Sequence, residues 1–488
     1  MADFISLDGK LVKDQVLQDG SEDIEDEMHT SHILGLYADF DESTFTRLFA
    51  AKGLTAGSDF DAFGMYGGRR LCNVADDGTI TAWYGDANYT ETGYTTITDP
   101  QTQQETTIQV QVMVRQPKFW YKVVPVDLEE ITSDDPTQTG VHGYSGVRMK
   151  YYIADRPIPG FKVHPAFYNA QGQEVDCYYI GAYEGCFYDT SHNTYRLYDS
   201  WNVNYDPNTD TYDVMGSSTW KPTTDDLLSS IAGAKPTSGQ SASVYVIENT
   251  RTMARNRGSG WDQVNIKMIS AEQLLMIIEY AAFNMESLIG YGIGSYSGTG
   301  SYNQSAFTGS TSSLGNGSGS ATSTRRLQYN GTLNTYTDGG YVSVKYRGAE
   351  NLWGNMYYYI DGANVFGDGT TGGGEVYICD DFNFDSTKHD DNYKPIGFTL
   401  PETSSEYIKY FGYSSLYDWA MIPSKIGGNS SLPIGDQIML TSKLDGNKNM
   451  RLGGHFASTR AVIGFFLYDV GSNVTSTGRY NSARIAYI

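Results

Sequence analysis

Hydrophobic positions change period several times along this chain, and each change marks a different kind of element. In residues 1–55, Asp41-Glu42-Ser43-Thr44 sets acidic and capping residues before Phe45, Leu48 and Phe49. That i, i+3, i+4 spacing predicts a short helix, with Gly53 as its stop. From 56 to 140 the pattern turns to strands. Asp76-Asp77-Gly78 separates Leu71–Val74 from Thr79–Tyr84 as a hairpin turn. The run Ile108 to Val114 alternates apolar and polar with period two, which predicts a half-buried strand. Pro117 then introduces a second, aromatic strand at Phe119-Trp120-Tyr121.

From 141 onward helix and strand signals mix. Tyr151-Tyr152-Ile153 and Cys177 to Tyr183 read as strands. Ser270-Ala271-Glu272-Gln273 has the S-x-x-Q form of a capping box. Leu274, Leu275, Ile277, Ile278, Ala281 and Ala282 follow it as a broad apolar stripe, so a core helix is expected over 270–282. The tract 290–340 is rich in Gly, Ser, Thr and Asn with scattered Tyr; that composition fits a linker or long loops held on a scaffold. Strand signals resume at Tyr341, and the chain closes on an alternating strand, Ala483 to Ile488. The expected organisation is an N-terminal adaptor over 1–55, a small β-rich domain over 56–140, and a large domain over 141–488 with a Gly/Ser-rich insertion at about 290–340.

Composition narrows the function classes. Of 488 residues, 40% are hydrophobic and 19% charged, so the chain is neither a disordered polyelectrolyte nor a membrane protein. Its most apolar stretch, Leu274 to Ile278, is too short to cross a bilayer. Lys+Arg 34 against Asp+Glu 57 gives a net charge of -23, a field that repels phosphate backbones, and no nucleic-acid partner is expected. Tyr 39 and Gly 54 suit a surface rich in strands and loops. Cys72, Cys177, Cys186 and Cys379 form no Cys-x-x-Cys pair, which speaks against zinc. Cys177 and Cys186 could meet across a hairpin, but buried free thiols from a reducing cytoplasm are the better reading.

Three separated pieces carry a resemblance. The helix ending Glu279-Tyr280-Ala281-Ala282, the run Arg347-Gly348-Ala349-Glu350-Asn351-Leu352-Trp353-Gly354-Asn355, and Arg451-Leu452-Gly453-Gly454-His455 with the terminal Ala483-Arg484-Ile485-Ala486 are similar in order to markers of the formylglycine-generating enzyme family. The resemblance implies a C-type-lectin-like fold over about 145–488, and an α+β class for the whole, with a β-rich N-terminal region ahead of it. Trp353, Gly354, Gly453 and Gly454 are then scaffold: a core aromatic beside a tight turn, and a backbone crossing that a Cβ would block.

A second resemblance runs from about 60 to 488. Arg69 to Gly78, Pro117 to Lys122, Pro159 to Phe167 and Tyr179 to Gly185 occur in the order found in tailed-bacteriophage virion proteins that carry a lectin-like domain. It implies a tail- or head-fibre-like protein of the phage particle, made in the bacterial host cytoplasm. Some relatives in that group are receptor-binding proteins with a diversified C-terminal segment. By the same analogy His455, Phe456, Ser458, Arg460, Phe466, Tyr468, Asn473, Arg479 and Tyr480 are the implied receptor contacts. Phe465-Phe466-Leu467-Tyr468 reads equally well as a buried strand. The implied partners are other virion proteins, held through the N-terminal region, and a bacterial surface protein or glycan; a homotrimer is expected by analogy with virion fibres.

Enzyme chemistry is not expected. The copper-binding cysteines of the formylglycine-generating enzymes have no counterpart after Cys379, and the seven histidines are scattered with no H-x-x-x-H-x-E cluster. G-x-S-x-G, H-E-x-x-H and P-loop strings are absent. Asp206 to Asp210 begins like a calcium loop, but Thr211 stands where its glycine is needed and Ser217 where its last carboxylate is needed. No catalytic residue, metal or cofactor is assigned. Two readings stay open: a host-surface adhesin, and an architectural or decoration protein of the virion.

Overall fold

The computed structural model describes residues 30–98, 101–131, 143–196, 205–206, 211–212, 223–236, 246–294, 305–327, 333–335, 341–369, 373–440, 444–476 and 480–488. Strand takes 41% and helix 13%, which corrects the expected α+β class to a β-rich one. Four α-helices occur among the described residues, and only Ile247–Arg255 and Ile266–Tyr280 exceed a single turn. The bias follows from a chain rich in Tyr and Thr that supplies few other long runs at helical spacing.

A fourteen-stranded sheet forms the larger layer. Its main path runs Lys162–Val163, Trp120–Glu130, Tyr144–Ala154, Ser405–Tyr413, Gln437–Met439, Gly464–Asp469, Asp445–Gly453, Tyr357–Asp368, Glu375–Cys379 and Tyr393–Thr399. Ile33–Asp39 joins at the side, pairing with Thr44–Phe49 and with Tyr144–Ala154. A six-stranded sheet orders Trp261–Gln263, Ile485–Tyr487, Cys177–Gly181, Gln111–Pro117, Arg70–Val74 and Ile80–Trp83. The last residues of the chain are thus interior to a sheet: Tyr487 pairs with both Tyr179 and Trp261. One hydrophobic cluster contains residues from Leu34 to Ala486, so packing runs across positions 55 and 140.

The long helix Ile266–Tyr280 lies at the centre, with every residue from Ile266 to Glu279 buried. Its cap is Asn265, whose side chain accepts from the N–H groups of Lys267 and Met268, both at 3.1 Å. The Ser270–Gln273 capping box is therefore interior to the helix. Ser270 Oγ donates to the Lys267 carbonyl at 2.9 Å, and Gln273 Nε2 donates to the Tyr468 hydroxyl at 3.0 Å. Buried hydroxyl and amide groups on such a helix need partners, and these two found them in place of a capping role.

Two other expectations are corrected. Phe45, Leu48 and Phe49 lie on the strand Thr44–Phe49, not a helix. Asp39 accepts from Glu42 N at 3.0 Å to close the turn, and Thr44 and Thr46 suit an extended backbone. The Ile108–Val114 run breaks at Val110, into Glu105–Gln109 and Gln111–Pro117. Its second half is buried on both faces: Val112 and Val114 enter the main cluster, while Met113 joins Cys72 and Val74 in another. Within the tract 290–340, Ala306 to Thr311 is buried. The Glu350 carboxylate accepts there from Gly309 N at 2.8 Å, from Thr311 N at 2.7 Å and from Thr311 Oγ1 at 2.7 Å. All four cysteines are free; Cys177 is half-buried and the others are buried.

Candidate binding face

Glycines bring three segments to one place. Gly453 and Gly454 have φ of 98° and 79°, and Gly354 has 76°, conformations that L side chains rarely adopt. Gly354 donates its N–H to the Gly453 carbonyl at 2.8 Å. A Cβ on Gly354 would stand 2.5 Å from Ile293 N, and one on Gly454 would stand 2.5 Å from the Val462 carbonyl oxygen. Trp353 packs against Phe465 at 5.8 Å and donates Nε1–H to the Gly290 carbonyl at 2.9 Å. Trp353, Gly354, Gly453 and Gly454 thus lie together at a close backbone crossing.

On that crossing sits the turn His455–Ser458. Phe456 N donates to the Asn355 carbonyl at 2.7 Å, and Tyr357 N donates to the Tyr480 carbonyl at 2.9 Å. His455 Nδ1 accepts from Ala457 N at 3.1 Å, which places the proton of the neutral ring on Nε2. Ser458 Oγ accepts from His455 N at 3.2 Å. The His455 ring stacks on Tyr480, with centroids 4.0 Å apart and planes at 26°, and meets Tyr357 edge-on at 4.9 Å. Arg451 lies 4.9 Å over the Tyr357 ring and is itself paired with Asp469 at 2.8 Å, which fixes the floor of the group. Beside it, the exposed Arg460 guanidinium lies 4.2 Å from the Tyr291 centroid and 5.7 Å from that of Tyr341.

The nine residues named from the sequence separate clearly. His455, Tyr480 and Arg460 are at least partly exposed and share this region. Phe456 and Ser458 are buried and hold the turn from beneath. Phe466 and Tyr468 are corrected: both are 0% exposed. Phe466 packs against Phe283, Phe411 and Phe465, and the Tyr468 hydroxyl is held by Gln273, so neither side chain reaches solvent. Asn473 is exposed but engages Lys448 and Asn449. Arg479 lies outside the described residues. Tyr291 and Tyr341 were missed; their one signal was Tyr standing at either end of a Gly/Ser/Thr tract.

The groups with displaced pKa values sit mostly inside. Burial pushes the Glu184 carboxyl up to about 8, although Arg484 and the Asn355 amide favour its charged form. Burial likewise drives the His164 imidazole well below its ordinary range. His164 Nδ1 accepts from Ala166 N at 3.2 Å, and its ring sits among Phe119, Phe167, Tyr121 and Trp419. Among the described residues no group of three or more His, Cys, Asp or Glu is arranged to hold a metal ion. What the face can do chemically is stack, donate hydrogen bonds and present one guanidinium.

No family model and no curated protein matches the chain. Among solved structures it is similar to one titled Major Tropism Determinant U1 Variant, over 91% of this chain and 77% of that chain, at 11% identity and a TM-score of 0.25.

Proposed function

We propose that this chain is a bacteriophage virion protein that presents the His455–Arg460–Tyr480 face to a receptor on the host surface. One observation carries the reading: partly exposed aromatic rings and a guanidinium are gathered from separate segments onto a glycine crossing. Rings with few rotamers lose little entropy on contact and offer both a flat apolar face and polar edges. The ordered motifs that resemble phage virion proteins support the same reading. In this proposal the N-terminal region attaches to other virion proteins, the assembled form is a homotrimer, and no catalysis is involved. The ligand is a surface glycan or protein.

An architectural role is the second reading, and one feature favours it. The hairpin Tyr94–Thr98 with Glu105–Gln109 forms a two-stranded sheet of its own, with Tyr94 and Ile97 exposed. Labelled protein added to host cells separates the readings. An adhesin binds saturably, and Tyr480→Ala with Arg460→Ala weakens that binding while leaving the fold intact; a purely architectural protein does not bind.

A further inference from the structure

Behind the face, two carboxyl side chains meet, and among the described residues neither is paired with a cation. Glu286 lies in the single-turn helix Met285–Leu288, and Asp436 immediately precedes the strand Gln437–Met439. Both are buried, at 5% and 1% exposure. Each holds a different backbone group of one strand: Glu286 Oε1 accepts from Phe465 N at 2.8 Å, and Asp436 Oδ2 accepts from Phe466 N at 2.6 Å.

The reason these amides need side-chain partners is a break in register. Gly453 pairs with Gly464 and Leu452 with Tyr468, so residues 465–467 leave the ladder. Buried N–H groups without a strand partner are costly, and the two acids supply acceptors. Gly464 makes room for this: a Cβ there would stand 1.7 Å from Asp436 Oδ1. That same Oδ1 has no hydrogen-bond donor among the described residues. A proton on the pair satisfies it, because a protonated carboxyl donates to its neighbour.

We propose that Glu286 and Asp436 form a proton-holding latch that fastens the bulge 465–467, and that loss of its proton loosens the face carrying Arg460. Both ends of the latch lead to that face. Tyr291 follows the Glu286 helix, and Arg460, which lies over Tyr291, precedes the bulge. Burial, and for Asp436 the neighbouring Glu286, hold the two carboxyls above the ordinary range. Among the described residues, the other ionisable group facing them is the Tyr468 hydroxyl, itself held by Gln273. Folded protein therefore keeps protons that unfolded carboxylates release at about pH 4. The contribution is full below that pH and is lost as pH rises through the folded pair's range.

Hydrogen exchange of the full chain tests this, with intrinsic rates corrected at each pH. In the unsubstituted protein, protection of the segment 460–468 falls by roughly tenfold or more between about pH 6 and 9, the factor that one unit of displaced pKa supplies. In the double variant Glu286→Gln, Asp436→Asn, which keeps acceptors and gains amide donors but cannot ionise, protection is flat. Equal loss in both proteins, or none in the unsubstituted one, overturns the latch. If the double variant does not fold, carboxyl-carbon NMR of the unsubstituted protein decides: a protonated pair at pH 6 supports the latch, and two ionised carboxylates overturn it. The consequence for receptor contact rests on the proposed function. Exchange reads the latch with no receptor present, so either idea can fail without the other.

Discussion

Gly354 and Gly453 touch backbone to backbone, through an N–H···O bond of 2.8 Å with no side chain between them. At this crossing Gly354 lies against Gly292 and Ile293, and Gly454 against Val462 and Ile463, so the two turns are held close together. Gly354→Ala puts a Cβ within 2.5 Å of Ile293 N at a left-handed φ. The expected loss is about 2–4 kcal/mol of stability, from strain and lost packing together. Urea denaturation checks it, and a variant within about 0.5 kcal/mol of the parent contradicts the crossing.

The central helix is tied to the six-stranded sheet by a buried ion pair. Arg69 Nη1 donates to Glu272 Oε1 at 2.7 Å, and the Tyr178 hydroxyl donates to the same oxygen at 3.0 Å. Arg69→Met leaves the buried Glu272 carboxyl without its cation, which costs about 3–5 kcal/mol. Substituting both partners, Arg69→Met with Glu272→Met, recovers much of that loss. A double-mutant cycle by chemical denaturation measures the difference.

Exposed and buried aromatic residues of the C-terminal region separate by assay. Phe466→Ala opens a cavity in the core and is expected to cost about 3–5 kcal/mol. Tyr480→Ala removes a half-buried ring and leaves stability within about 1 kcal/mol of the parent, while weakening cell binding. Thermal unfolding and cell binding, run on both variants, show whether the two effects divide this way.

Glu184 gives a pH dependence of defined sign. Its folded pKa is raised by burial to about 8, above the unfolded carboxylate, so its contribution is full at low pH and lost as pH rises through about 8. The slope from this one group is at most about 1.4 kcal/mol per pH unit. Glu184→Gln keeps an acceptor for the Asn355 amide and is expected to flatten the decline between about pH 4 and 8. Unfolding midpoints across that range test it.

How much of this was legible in the sequence depended on which force dominated locally. The hairpin at Asp76-Asp77-Gly78 and the closing strand were readable because turn chemistry and alternation act over neighbouring residues. Phe45, Leu48 and Phe49 misled because a helical spacing of three residues is short, and pairing with Ile33–Asp39 outweighed it. Ser270 and Gln273 misled because a capping box and two buried, partnered polar residues look identical in one dimension. For the candidate face, the glycines were readable from the need for close approach. Phe466 and Tyr468 were not separable from Tyr480, since what buries them is contact with Phe283, Phe411 and Gln273, far away in sequence. Tyr291 reaches Arg460 across a similar distance in sequence, which no local pattern encodes.

The most direct test of the central claim is adsorption competition. Purified full-length protein is added in excess to host cells before phage, and the fraction of phage adsorbed is measured. A receptor-binding face predicts saturable inhibition that Tyr480→Ala with Arg460→Ala weakens and that Asn473→Ala leaves unchanged. Folded protein that neither binds cells nor slows adsorption at any concentration contradicts the claim and leaves the architectural reading.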